Sequence, residues 1–122
     1  MGEIVWPAEQ LRALDEADEL EIAGRRWTPI WVVRVEDQVF VRTWHRRDTG
    51  WFGHVLREGR ATVRVPGVEA AVTVEDVGVG PAGLRDSVDA AYRAKYGRYG
   101  EGTVARMVSD TAAGTTLRLS LS

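Results

Sequence analysis

Residues 61–75 (ATVRVPGVEAAVTVE) alternate apolar and polar side chains on both sides of Pro66-Gly67. Val68, Ala70, Val72 and Val74 share one face, and Glu69, Thr73 and Glu75 lie opposite. Proline presets φ, and glycine admits the positive φ of a tight turn. A period of two with one polar face specifies an antiparallel hairpin that is wet on one side. Several such hairpins in a small chain leave raw sheet edges unless the sheet closes.

The rest of the chain repeats the pattern. Residues 28–35 (TPIWVVRV) and 38–44 (QVFVRTW) are rich in β-branched and aromatic residues and flank Glu36-Asp37, which predicts a second hairpin. In its second strand Val39, Val41 and Thr43 share one face, and Phe40, Arg42 and Trp44 share the other. Leu20-Glu21-Ile22 and residues 115–121, with Leu117, Leu119 and Leu121 facing in, add two more strands.

Helices are expected at 7–17, around Leu11 and Leu14, and for one or two turns from Trp51 to Arg57, stopped by Gly59. A third, over 84–99, carries Leu84, Val88, Ala91, Tyr92 and Tyr96 at helical spacing. Tyr92, Tyr96 and Tyr99 read as packing residues with hydroxyls at the rim. The sum is a mainly β, α+β domain spanning 1–122. Its expected form is a six-stranded antiparallel Greek-key or split barrel with two or three flanking helices.

Composition narrows the chemistry. With no cysteine among 122 residues, disulfides, thiol catalysis and Cys-based zinc sites are excluded. His45 and His54 have no ligand partner three or four residues away, so no metal site is expected. A net charge of −2 argues against a general nucleic-acid binder. No apolar run approaches the ~18 residues of a membrane span. No basic start leads into an apolar stretch, so a cytoplasmic protein is expected.

The charge is nevertheless segregated. Residues 1–24 hold one arginine and seven acids, net −6; residues 25–64 hold nine arginines and four acids, net +5. Within that basic stretch, Arg42-Thr43-Trp44-His45-Arg46-Arg47 is followed by Trp51-Phe52. Arginines grip phosphate or carboxylate in a fork, and indoles offer flat faces to a planar ligand. Arg25 and Arg26 lie in another connector that can converge on the same end. The same residues also read as a solvated loop over a Trp-rich core. His45 is the candidate acid or base. Gly78-Val79-Gly80-Pro81-Ala82-Gly83 matches G-x-G-x-x-G, but its strand belongs to a hairpin with one polar face, so it reads as a linker rather than a nucleotide cradle.

Three segments, Trp27–Val35, Val39–Thr43 and Gly50-Trp51-Phe52, resemble the domain-of-unknown-function (DUF) 2255 family of short split-barrel proteins. So does the helical segment Asp89-Ala90-Ala91-Tyr92-Arg93-Ala94-Lys95-Tyr96-Gly97, the most specific part of the match. That family is similar, more distantly, to deazaflavin-dependent nitroreductases and flavin-binding split barrels. The resemblance implies a PNP-oxidase/flavin-reductase-like barrel and a homodimer. It also implies that the strand Val39–Thr43 and the loop after it bind cofactor phosphate. Carried across, Arg42, Thr43, Arg46, Arg47, Trp51 and Phe52 become ligand residues, with Trp44 beside them. The chain departs from the nitroreductases at bulky Trp44 and His45, where they are small and Gly-rich. It also retains only Gly24-Arg25-Arg26 of their Gly-Arg-Lys-Ser-Gly-like turn.

The functional expectation is a small-molecule ligand, planar or anionic, held at the barrel end. With FMN or a deazaflavin bound, the chemistry would be hydride transfer. The alternatives are a cofactor-independent enzyme in which His45 or Asp48 moves protons, and a non-catalytic binding module.

Overall fold

One antiparallel sheet returns at its two ends to the same short piece of chain. The computed structural model describes residues 5–23, 26–43 and 50–122. Among them are seven strands: β1 Leu20–Ala23, β2 Trp27–Ile30, β3 Val32–Val35, β4 Gln38–Val41, β5 Arg60–Val65, β6 Val68–Asp76 and β7 Leu117–Leu121. Their order is β2-β1-β5-β6-β7-β4-β3. The two terminal strands, β2 and β3, are separated only by Trp31, so the sheet curls into a nearly closed barrel.

This arrangement corrects the six-strand expectation. Residues 28–35 keep a single side-chain alternation: Ile30 and Val32 join the barrel interior, while Trp31, Val33 and Val35 pack outside it. The hydrogen-bonding partner changes at Trp31. Ile30 pairs with Leu20 of β1, whereas Val32 pairs with Val41 of β4. The alternation makes the segment look like one strand, and the change of partner makes it two. The hairpins at Glu36-Asp37 and Pro66-Gly67 stand as expected, with Val35 opposite Gln38 and Val65 opposite Val68.

Among the described residues five α-helices cover the barrel: α1 Ala8–Glu16, α2 Gly50–Glu58, α3 Leu84–Tyr96, α4 Glu101–Val108 and α5 Asp110–Ala113. Leu11 and Leu14 of α1, and Phe52 and Val55 of α2, fill the barrel core beside Ile22, Val39, Val72 and Leu119. Trp6 joins them and donates its indole N–H to the Leu119 carbonyl at 3.0 Å. A second apolar cluster lies outside the barrel wall, where Val33 and Phe40 meet Val88, Tyr92 and Tyr96 of α3 and Val104 and Met107 of α4. The last two helices were not expected. Gly102, Thr103 and Val104 are weak helix formers, and the burial of Val104 and Met107 against α3 overrides their propensity.

The G-x-G-x-x-G segment joins β6 to α3. Both neighbours of β6 are antiparallel to it, so no parallel βαβ unit exists to form a nucleotide cradle. Gly78, Gly80 and Gly83 all have positive φ, the conformation of a winding connector. Among the described residues, no helix is long and apolar enough to cross a membrane.

The bend at Trp31 is held from α3. The Trp31 ring stacks on Tyr96 with centroids 4.0 Å apart and planes within 2°. The Val32 N–H donates to the Tyr96 hydroxyl at 3.0 Å, and that hydroxyl reaches the Asp18 carbonyl at 2.8 Å. Lys95 donates to the carbonyls of Leu14 and Val32 at 2.7 and 2.8 Å, tying the end of α1 to the bend. Tyr92 and Tyr96 are therefore wholly buried rather than reaching the rim, and only Tyr99 is exposed.

Two predictions follow from this joint. Tyr96→Phe keeps the stack but orphans the Val32 N–H, and should cost roughly 1–3 kcal/mol, read as a lower urea midpoint at unchanged slope. Burial lowers the Lys95 pKa from 10.5 to about 8, against the opposing pull of Asp15 and Asp18. The folded chain then releases this proton near pH 8, while the unfolded chain holds it to 10.5. Between pH 8 and 10 stability relative to Lys95→Met should rise with pH. Lys95 is the sole lysine. Its Hε–Cε NMR signal should titrate with a midpoint near 8, and a midpoint near 10.5 would refute the assignment.

Candidate functional site

A cleft of about 440 Å³ opens where the end of β4 meets the β2–β3 bend, α2 and α4. Arg42 and Thr43, which follow β4, line it together with Trp31 of the bend and Trp51 of the first turn of α2. The α4 side supplies Thr103, Arg106 and Met107, and Glu19 stands on the wall before β1.

The alternation of β4 decides where Arg42 goes. Val39 and Val41 point into the barrel, so Phe40 and Arg42 point outward beneath α3. There Arg42 is 1% exposed. Its Nε donates to Thr116 Oγ1 at 2.8 Å, and its Nη1 donates to Asp89 Oδ1 at 2.5 Å and to the Met107 carbonyl at 2.8 Å. The guanidinium carbon lies 5.5 Å from the centroid of the Tyr92 ring. A guanidinium has five N–H donors. Three are engaged, and the remaining two, both on Nη2, have no partner.

Asp89 is itself held on both sides. It lies 3.4 Å from Arg85 Nε, one helical turn earlier, and Arg85 Nη2 reaches Asp110 at 2.8 Å. Charges thus alternate from the cleft to the surface: Arg42, Asp89, Arg85, Asp110. The Arg85 pKa is raised chiefly by its hydrogen bond to Asp110. Tyr92 has a buried hydroxyl without a partner, and desolvation pushes its ionisation well above the usual phenol range. Thr43 is fixed through its backbone, its N–H donating to Thr115 Oγ1 at 3.1 Å.

The structure brings Arg42, Thr43 and Trp51 to one cleft. Phe52 lies elsewhere, fully buried in the barrel core with its ring edge-on to Trp51 at 5.5 Å. Arg26 is exposed just before β2, off the described cleft wall. Arg25, Trp44, His45, Arg46, Arg47 and Asp48 lie outside the described residues. His54 lines a separate groove with Glu58 and Arg60.

Sequence reasoning missed Trp31 and Arg106 on the cleft wall, and Asp89 behind it. Asp89 had a legible signal: it sits between Val88 and Tyr92 on the buried stripe of α3, where a carboxylate requires a cationic partner.

Residues 10–119 match the family described as "Uncharacterized protein conserved in bacteria (DUF2255)". The chain belongs to the DUF2255 family. No curated protein matches it. The conserved hypothetical protein Rv2991 from Mycobacterium tuberculosis has a similar crystal structure, with a TM-score of 0.56 over all of this chain and 83% of that one, at 12% identity. That likeness concerns the fold alone. The segment 89–97, on which the DUF2255 resemblance rested most, now has a physical content. Asp89 anchors Arg42, Tyr92 underlies it, and Lys95 and Tyr96 hold the bend.

Removing one partner of a buried ion pair strands the other. Asp89→Ala should therefore cost roughly 3–5 kcal/mol in urea denaturation. The double variant Arg42→Met/Asp89→Leu should lose clearly less than the single one. Equal losses would mean that the pair is not coupled.

Proposed function

We propose that this DUF2255 chain binds a planar small molecule in the cleft, with an oxygen acceptor of that molecule directed at Arg42. The observation that carries the reading is the pair of unpartnered donors on Arg42 Nη2, on a side chain whose other three donors are locked in place. A buried donor left unmade is costly, and a binding site is one reason for it. The cleft volume of about 440 Å³ falls within the range of small-molecule sites. Trp31 and Trp51 supply ring surface, and the Tyr96 stack fixes the orientation of Trp31.

A flavin or deazaflavin is the cofactor class that the resemblance implies, and its ring portion suits this wall. The ring is flat and carries carbonyl oxygens along one edge, either of which could accept from an Arg42 Nη2 N–H. Arg46 and Arg47 are the residues that the resemblance assigns to the cofactor phosphate. When bound, such a ring supplies hydride transfer. The chain's part is to orient the carbonyl edge, cover the ring with indole and keep a positive charge beside it.

This reading makes the protein a split-barrel oxidoreductase of the PNP-oxidase/flavin-reductase type, distantly akin to the nitroreductases. A cytoplasmic homodimer belongs to the same reading, on the resemblance alone.

Titration with FMN and with a deazaflavin, followed by ligand fluorescence, tests the cofactor. Saturable binding of either is expected, weakened about three- to tenfold by Trp51→Ala through loss of ring contact. No association with either removes the oxidoreductase.

A further inference from the structure

Lys95 stands apart from the cleft. It lines a separate groove of about 520 Å³, between α3, Val33 and Arg34 of β3, and Asp15 of α1. We propose that Lys95 is a modification site, acylated by a small activated acyl donor of the thioester or acyl phosphate class, and that the acyl group frees the end of α1 from the β2–β3 bend. The proposal does not depend on what the cleft binds.

An ammonium has three N–H groups. On Lys95 two of them reach the carbonyls of Leu14 and Val32, at 2.7 and 2.8 Å. Loss of the third proton breaks neither bond and leaves a lone pair in its place. The surroundings favour that loss. Asp15 is bound to Arg34 at 2.7 Å, and Asp18 is bound to Arg98, so the acids that act on the amine already have cations of their own. Glu36 lines the same groove. Burial prevails over the pull of Asp15 and Asp18 and, with Arg98 acting in the same direction, lowers the Lys95 pKa to about 8. A desolvated lysine of this kind is a nucleophile near neutral pH. Ala91 and Ala94, small residues of the same helix, also line the groove and leave room beside the amine.

In the reaction the Nζ lone pair adds to the acyl carbon. The bond from that carbon to sulfur or to the phosphate oxygen breaks, and the leaving group departs with the electron pair. The nitrogen gives up one proton to water. The product is a neutral amide with a single N–H, which serves only one of the two carbonyls. The Val32 carbonyl lies within 3.1 Å of the Tyr96 hydroxyl as well. Leu14 lies in the last turn of α1, where carbonyls have no partner within the helix. Acylation therefore loosens the tie at α1. Other amine chemistry fits this position less well. A carbamate would set an anion against two carbonyl oxygens, and a neutral imine would have no N–H for either.

The test treats the full chain with acetyl phosphate and, separately, with the thioester S-acetyl-N-acetylcysteamine. Peptide mass spectrometry separates Lys95 from the amino terminus. At pH 7.5 Lys95 is expected to react at least about tenfold faster than the side chain of Nα-acetyl-lysine amide, whose pKa stays near ~10.4. Its rate should rise with pH and level off near pH 8. Whichever donor reacts identifies the source of the acyl group. A rate no higher than that of the reference amine with both donors, or one that still climbs through pH 10, overturns the site. The acetylated chain should have a lower urea midpoint than the untreated one. Lys95→Arg, treated alike, takes up acetyl at its amino terminus alone and should keep its midpoint. An unchanged midpoint after full acetylation of Lys95 overturns the release of α1.

Discussion

Everything in this fold depends on one segment serving both ends of the sheet. β2 pairs with β1, β3 pairs with β4, and only Trp31 lies between them. A sheet with its first and last strands in direct succession has to curl. Side-chain alternation across the junction means that the interior is lined without a break, by Ile30 and then Val32. What the junction loses is the regular pairing of its backbone, and α3 restores it. Tyr96 takes the Val32 N–H, Lys95 takes the Val32 carbonyl, and the Tyr96 ring covers Trp31. The helix is thus a part of the barrel wall as much as a layer upon it.

The same helix shapes the cleft. About two turns before Tyr96, Asp89 draws the Arg42 side chain under the helix and fixes it. A buried ion pair of this kind adds little net stability compared with well-packed apolar residues. Its effect is on orientation. It determines which guanidinium nitrogens are occupied and which is left without a partner. In this chain, closure of the barrel and the placing of Arg42 are carried by residues on one helical face: Asp89, Tyr92 and Tyr96.

Much of this was readable beforehand, and the reasons differ by element. The hairpins were legible because turn chemistry and alternation agree at Pro66-Gly67 and at Glu36-Asp37. The strand break at Trp31 was not, because alternation reports which way a side chain points and says nothing about which strand lies alongside. α4 escaped notice because its formation depends on apolar contact with α3, which overrides the weak propensity of Gly102-Thr103-Val104. Arg42, Thr43 and Trp51 were singled out from charge and aromatic content, and they do share a cleft. Phe52 was misplaced because adjacent helical residues face different ways. Asp89 was overlooked because the apolar stripe of α3 was read for its hydrophobes, and the carboxylate among them was passed over.

The single-residue junction also limits how the fold can vary in length. Loops between hairpins can grow or shrink without disturbing their flanks. One amino acid added between Ile30 and Val32 would invert the inside–outside phase of one flank against the other. Val32 would then turn toward α3 and Val33 inward, and the Tyr96 hydroxyl would meet a displaced amide. The bend therefore serves as a ruler for the whole barrel, and its spacing is the dimension that tolerates no insertion.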